Sequence, residues 1–128
     1  MTNFRVVLSI ILATVLFVVP LVAHHNNAAV FDTSKTILLK GTITKVELRN
    51  PHSSIYLDVK DAAGKITNWW VEMASIATLA KAGLDKDLID LNQSYSMEVN
   101  VARDGKAQAV GITLTSSDSK SYDLREKP

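Results

Sequence analysis

Ile37-Leu38-Leu39-Lys40-Gly41-Thr42-Ile43-Thr44-Lys45-Val46-Glu47-Leu48 is the stretch whose pattern decides the fold. Ile37, Leu39, Gly41 and Ile43 fall on one phase of a two-residue alternation, and Val46 and Leu48 fall on the other. Side chains along a strand alternate faces, so a change of phase requires one extra residue. The pattern predicts a long strand that is bulged and strongly bent, with a glycine nearby to permit the bend.

Arg49-Asn50-Pro51-His52 then ends the strand, because proline cannot donate to a ladder and forces the residue before it into an extended conformation. A second strand places Ile55, Leu57 and Val59 on one face and Tyr56, Asp58 and Lys60 on the other. Asp61-Ala62-Ala63-Gly64-Lys65 is a hairpin connection with the glycine such loops need. The third strand, 66–73, carries Trp69, Val71 and Met73 on one phase and Asn68, Trp70 and Glu72 on the other. One tryptophan is therefore expected in the core and its neighbour outside.

Ser75 reads as the N-cap of a helix over 76–82, and Gly83 as the left-handed residue that ends it, with Leu84 supplying the accompanying apolar contact. Two strands follow: Tyr95, Met97, Val99 and Val101 alternate with polar residues, Arg103-Asp104-Gly105 turns, and Val110, Ile112 and Leu114 return. Three strands, one helix and two strands, with a long bent first strand, predict a mainly β protein built as a five-stranded OB-like barrel. The expected layout is an extended arm over 24–35, the barrel over 36–116 and a polar tail over 117–128, in which Tyr122 and Leu124 can pair on an edge.

The 128-residue chain has an N-terminal export pattern. Arg5 precedes an uncharged apolar run from Val6 to Ala23, with Pro20 near its end and a small residue at its exit. This is the layout of a signal peptide over 1–23. A run of 18 residues is also at the short end of what spans a bilayer, so an uncleaved anchor is the alternative, and membrane contact would then be confined to this segment. Either way the barrel is expected outside the cytoplasm, periplasmic or secreted. Removing Arg5 from 14 basic residues leaves 13, against 13 acidic ones, and a neutral domain has no electrostatic footprint for nucleic acid. There is no cysteine, which removes disulfides, thiolate chemistry and cysteine metal sites.

Ala23-His24-His25 with Phe31-Asp32, the run from Lys40-Gly41-Thr42 to Lys45-Val46-Glu47, Asn50-Pro51-His52, Asp58-Val59-Lys60-Asp61 and Trp69-Trp70-Val71-Glu72 together resemble a family of small exported bacterial proteins of unknown function. The resemblance covers about residues 23 to 115 and implies export, a compact β-rich domain and no assigned reaction. The chain departs from the family pattern at Leu91-Asn92-Gln93, where a Pro-Gly turn is usual. Asparagine tolerates the left-handed conformation, so the turn can survive.

The remaining chemistry is that of histidine. Cleavage after Ala23 would make His24 the first residue, whose amine and ring nitrogen can chelate one metal ion together. His25 or His52 would complete a nitrogen-rich set suited to copper, with zinc next. Cleavage one residue earlier would place histidine third, a strong copper(II) chelate made from backbone nitrogens and the ring. Glu72 can serve such a site as an outer-shell partner of His52. The structural alternative is that His24 and His25 solubilise a terminus and His52 caps a loop.

A second reading makes the protein an interaction module of the cell envelope without metal, holding a small molecule, glycan or protein on Trp70 and Tyr56. No nucleophile elbow, zinc-protease pair, phosphate loop or dinucleotide fingerprint is present, so nothing singles out a catalytic residue.

Overall fold

The computed structural model describes residues 27–127. The segment read as a signal peptide, and with it His24 and His25, lies outside them. The described elements are a one-turn helix α1 (Asn27–Val30), strands β1 (Phe31–Glu47), β2 (Ser53–Lys60) and β3 (Ile66–Met73), helix α2 (Ile76–Lys81), a 3-10 turn (Lys86–Leu88), and strands β4 (Ser94–Ala102), β5 (Gln108–Ser116) and β6 (Ser121–Asp123). The sheet runs β3-β2-β1-β4-β5, and β3 pairs in parallel with β5, so five strands close into a barrel; β6 is added beside β5.

Closure depends on β1. Its first half pairs with β4, from Thr36 opposite Asn100 to Thr42 opposite Ser94. Its second half pairs with β2, from Gly41 opposite Val59 to Glu47 opposite Ser54. Gly41 and Thr42 belong to both ladders, and at Gly41 a Cβ would collide with the Asp58 carbonyl. The expected bulge lies between Ile43 and Lys45, where the register with β2 slips by one residue. Thr44, the extra residue, donates its hydroxyl to the Tyr56 carbonyl at 3.3 Å. The side-chain phase therefore changes where the alternation of apolar residues says it must.

Every barrel strand contributes inward residues to one core, with Ile43, Ile55, Leu57, Val71, Met97, Val99 and Leu114 all fully buried. Helix α2 covers one end of the barrel through Leu79. Ser75 caps it as expected, accepting from the Thr78 N–H at 3.3 Å. At the other end Gly83 is left-handed, its N–H reaches the Ala80 carbonyl at 3.0 Å, and the Leu84 N–H reaches Leu79 at 2.9 Å. That double closure, with Leu79 against Leu84, is the glycine-terminated motif read from the sequence. Asn92 is left-handed and its N–H bonds the Ile43 carbonyl at 2.9 Å, so the Leu91-Asn92-Gln93 turn docks on the bulge without glycine.

Three features differ from the sequence-based expectation. The stretch read as an arm is extended only in part: α1 occupies its first described residues, and β1 begins at Phe31, which is buried and opposite Ala102. Neither tryptophan is fully buried; Trp69 packs against the core from a half-buried position, and Trp70 is half-buried on the outer face. The C-terminal stretch is more than a polar tail. Beyond β6, Leu124 is fully buried, its N–H bonds the Ile112 carbonyl at 2.9 Å, and its carbonyl accepts from Ala74 at 2.8 Å. Leu124 thus fills the seam that opens where β3 diverges from β5. Gly111 makes room for it, since a Cβ there would stand 2.7 Å from Leu124 Cδ1.

Leu124→Ala is expected to destabilise the domain by about 2–5 kcal/mol, the range for emptying a closed core position. Leu38→Ala, at a leucine with more than half its surface exposed, should change stability by less than about 0.5 kcal/mol. Urea denaturation of the two variants checks this; equal midpoints would contradict the placement of Leu124.

Candidate functional site

His52 is positioned by the loop that joins β1 to β2. The loop is fastened by Ser53, a buried polar residue whose hydroxyl accepts from the Arg49 N–H at 3.1 Å and donates to the Arg49 carbonyl at 3.2 Å. The Ser53 N–H bonds Ala74 at 3.1 Å and the Ile76 N–H bonds Arg49 at 3.1 Å. The loop is therefore tied to the segment between β3 and α2, which holds the residue before Ser53 in a defined place.

There His52 meets Glu72. Glu72 lies on the outer face of β3 opposite Ser54, so its carboxylate is a diagonal cross-strand neighbour of residue 52. His52 Nδ1 and Glu72 Oε1 are 2.9 Å apart, and Glu72 is the more buried of the two side chains. A carboxylate on Nδ1 selects the tautomer in which Nε2 carries the lone pair, the arrangement by which outer-shell carboxylates orient metal-binding histidines. Sequence reasoning named both residues separately, and the structure brings them together.

The pair stands at a cavity of about 200 Å³. Its lining includes the apolar Val110 and Ile112 of β5, Asn100 of β4, Thr33 of β1, and Arg125 and Glu126 of the C-terminal segment. Asn27, the first described residue, also lines it. The first part of β1 is held by the Asn100 side-chain amide, which donates to the Lys35 carbonyl at 3.0 Å, and α1 by the Arg103 Nε–H, which donates to the Ala28 carbonyl at 3.0 Å.

Glu126 was not foreseen, and nothing in the local sequence distinguishes it from other tail charges. Its carboxylate accepts from the Ser75 N–H at 2.8 Å and from the Thr78 hydroxyl at 2.5 Å. The Thr78 hydroxyl, then the Ser75 N–H, hold its pKa below the usual carboxylate value, with nearby His52 adding a smaller contribution in the same direction. Asp123 is lowered to about 2 by Arg125, which donates to both its oxygens at 2.9 Å. Among the described residues no group of three His, Cys, Asp or Glu side chains is arranged to hold a metal ion.

Tyr56 and Trp70 are direct cross-strand partners on the outer face of β2 and β3. Lys45 Nζ sits 5.0 Å from the centre of the Tyr56 ring, and the Tyr56 hydroxyl donates to Glu47 at 3.5 Å. Trp70 is thus the aromatic of the pair whose contacts are less committed to a charged network, its backbone N–H bonding the Ala107 carbonyl at 3.0 Å.

The Glu126 contacts have a definite pH dependence. A carboxyl lowered in the folded state contributes stability above its unfolded pKa of about 4.3, and that contribution is lost as the pH falls through the folded value. In an NMR titration the Glu126 carboxyl is expected to have its midpoint below about 4.3, with the Ser75 amide shift moving in parallel. A midpoint at or above that value would contradict the docked carboxylate.

No helix among the described residues is long and apolar enough to cross a membrane. No curated protein and no solved structure matches the chain. The profile of a family of unknown function, DUF6152, matches residues 13–112, a span that takes in β1 to β4, His52 and Glu72 and most of β5, and the chain belongs to that family.

Proposed function

We propose that the protein is exported and binds a transition metal ion, copper(II) or zinc(II), at the rim of the His52 cavity. His52 supplies one nitrogen, Glu72 orients its ring, and His24 and His25, which precede Asn27 in the sequence, supply the others. The observation that carries this reading is that Asn27 and the His52–Glu72 pair line one cavity. A set drawn partly from the terminus also agrees with the two described side chains being too few for a closed site. Copper leads on affinity order, and a free amine on His24, created by cleavage after Ala23, would strengthen a nitrogen-rich set.

The reading of a metal-free envelope module rests on Trp70 and its partner Tyr56. Lys45 already occupies the space over the Tyr56 ring, so Trp70 would carry most of any stacking.

The processed protein, with its first residue established by mass spectrometry, is titrated with copper(II) and zinc(II). Submicromolar copper binding is expected, weakened at least tenfold in His24→Ala and in His52→Ala and about 10- to 100-fold in Glu72→Gln. Micromolar or weaker binding that ignores all three substitutions would rule the metal reading out. Saturable binding of a metal-free glycan or envelope protein that is lost in Trp70→Ala would favour the module instead.

A further inference from the structure

The C-terminal segment after β6 builds two things at once, the seam of the barrel and one rim of the cavity. Leu124 enters the seam, bonded on one side to β5 through Ile112 and on the other to the residue after β3 through Ala74. Two residues later Glu126 reaches the start of α2 at Ser75 and Thr78. Between them Arg125 projects to the cavity rim while its guanidinium holds Asp123 in a two-point contact. Arg125 and Glu126 are exposed, and apart from Leu124, which is buried together with its bond to Ala74, the segment is held by surface hydrogen bonds of Asp123, Arg125 and Glu126. Such a segment opens at lower free energy than the strands it crosses.

We propose that residues 123–126 form a strap whose docking assembles the cavity, so that a ligand held at His52 and the docked strap stabilise each other. This rests on the cavity being the binding site. With the strap away, the cavity loses Leu124, Arg125 and Glu126 from its lining. A ligand that prefers the enclosed form must favour docking by the same factor by which docking favours the ligand.

Three amides report docking directly: Ala74, Ser75 and Leu124, bonded to the Leu124 carbonyl, the Glu126 carboxylate and the Ile112 carbonyl. In hydrogen exchange of the processed protein they should exchange as a group at least tenfold faster than the amides of Val71 and Val99. Glu126→Gln should speed the three at least threefold and leave Val71 and Val99 unchanged. Saturating zinc(II) should slow them by the factor by which docking tightens zinc binding, roughly threefold or more. Exchange of the three at the rate of the barrel amides, unaltered by Glu126→Gln, would overturn the strap. Zinc that binds without slowing them would overturn the coupling. If zinc fails to bind the unaltered protein, the metal reading fails, and the strap is decided by the Glu126→Gln comparison alone.

Discussion

The close approach of two backbones at Gly41 is the constraint on which the rest of the structure depends. One strand must serve β4 with its first half and β2 with its second, and the handover takes place where Gly41 lies against the Asp58 carbonyl. A side chain there would separate β1 from β2, and a separated β1 could not turn the sheet far enough for β3 to meet β5. The bulge between Ile43 and Lys45 completes the turn and lets Ile43 and Val46 both face the apolar interior. Glycine and bulge act together: one allows contact, and the other corrects the phase of the side chains after it.

The candidate site is a consequence of that closure. Because β1 turns back along β2, the loop joining them emerges beside the end of β3, where Ser53 ties it to Arg49 and Ala74. His52 is delivered to Glu72 from this loop, with Nδ1 and Oε1 2.9 Å apart. Because β3 and β5 diverge past their short parallel ladder, a seam remains, and the C-terminal segment fills it. The same segment carries Arg125 and Glu126 to the cavity. The barrel thus supplies a histidine paired with a carboxylate, at a cavity lined also by Val110, Ile112, Arg125, Glu126 and Asn27.

Much of this is legible in the sequence. The phase change in β1 is a direct readout of the bulge, because alternation of two admits no other explanation. Ser75, Gly83 and Leu84 foretold both ends of α2, since caps depend on local backbone chemistry that neighbours in sequence determine. His52 and Glu72 were each legible as candidates, but their contact was not, because it depends on the register between β2 and β3. The two tryptophans illustrate the limit of a period-two reading: alternation assigns a face, and burial depends on what else covers that face. Glu126 was invisible for a related reason. Its partners, Ser75 and Thr78, are about fifty residues away, and no local pattern marks a carboxylate that docks at such separation. Leu124 carried a faint signal in its alternation with Tyr122, outweighed by the polar run before it.

Membership in a family of unknown function assigns no chemistry, so the account rests on the residues around one cavity. Its central claim is that His52 and the histidines of the preceding segment meet on a single metal ion. The most direct measurement is the X-ray absorption spectrum of the processed protein loaded with one equivalent of zinc(II). The account predicts a nitrogen-rich shell at about 2.0–2.1 Å with the multiple scattering of at least two imidazole rings, reduced by one ring in His52→Ala. A shell of oxygen alone, or a spectrum that His52→Ala leaves unchanged, would contradict it.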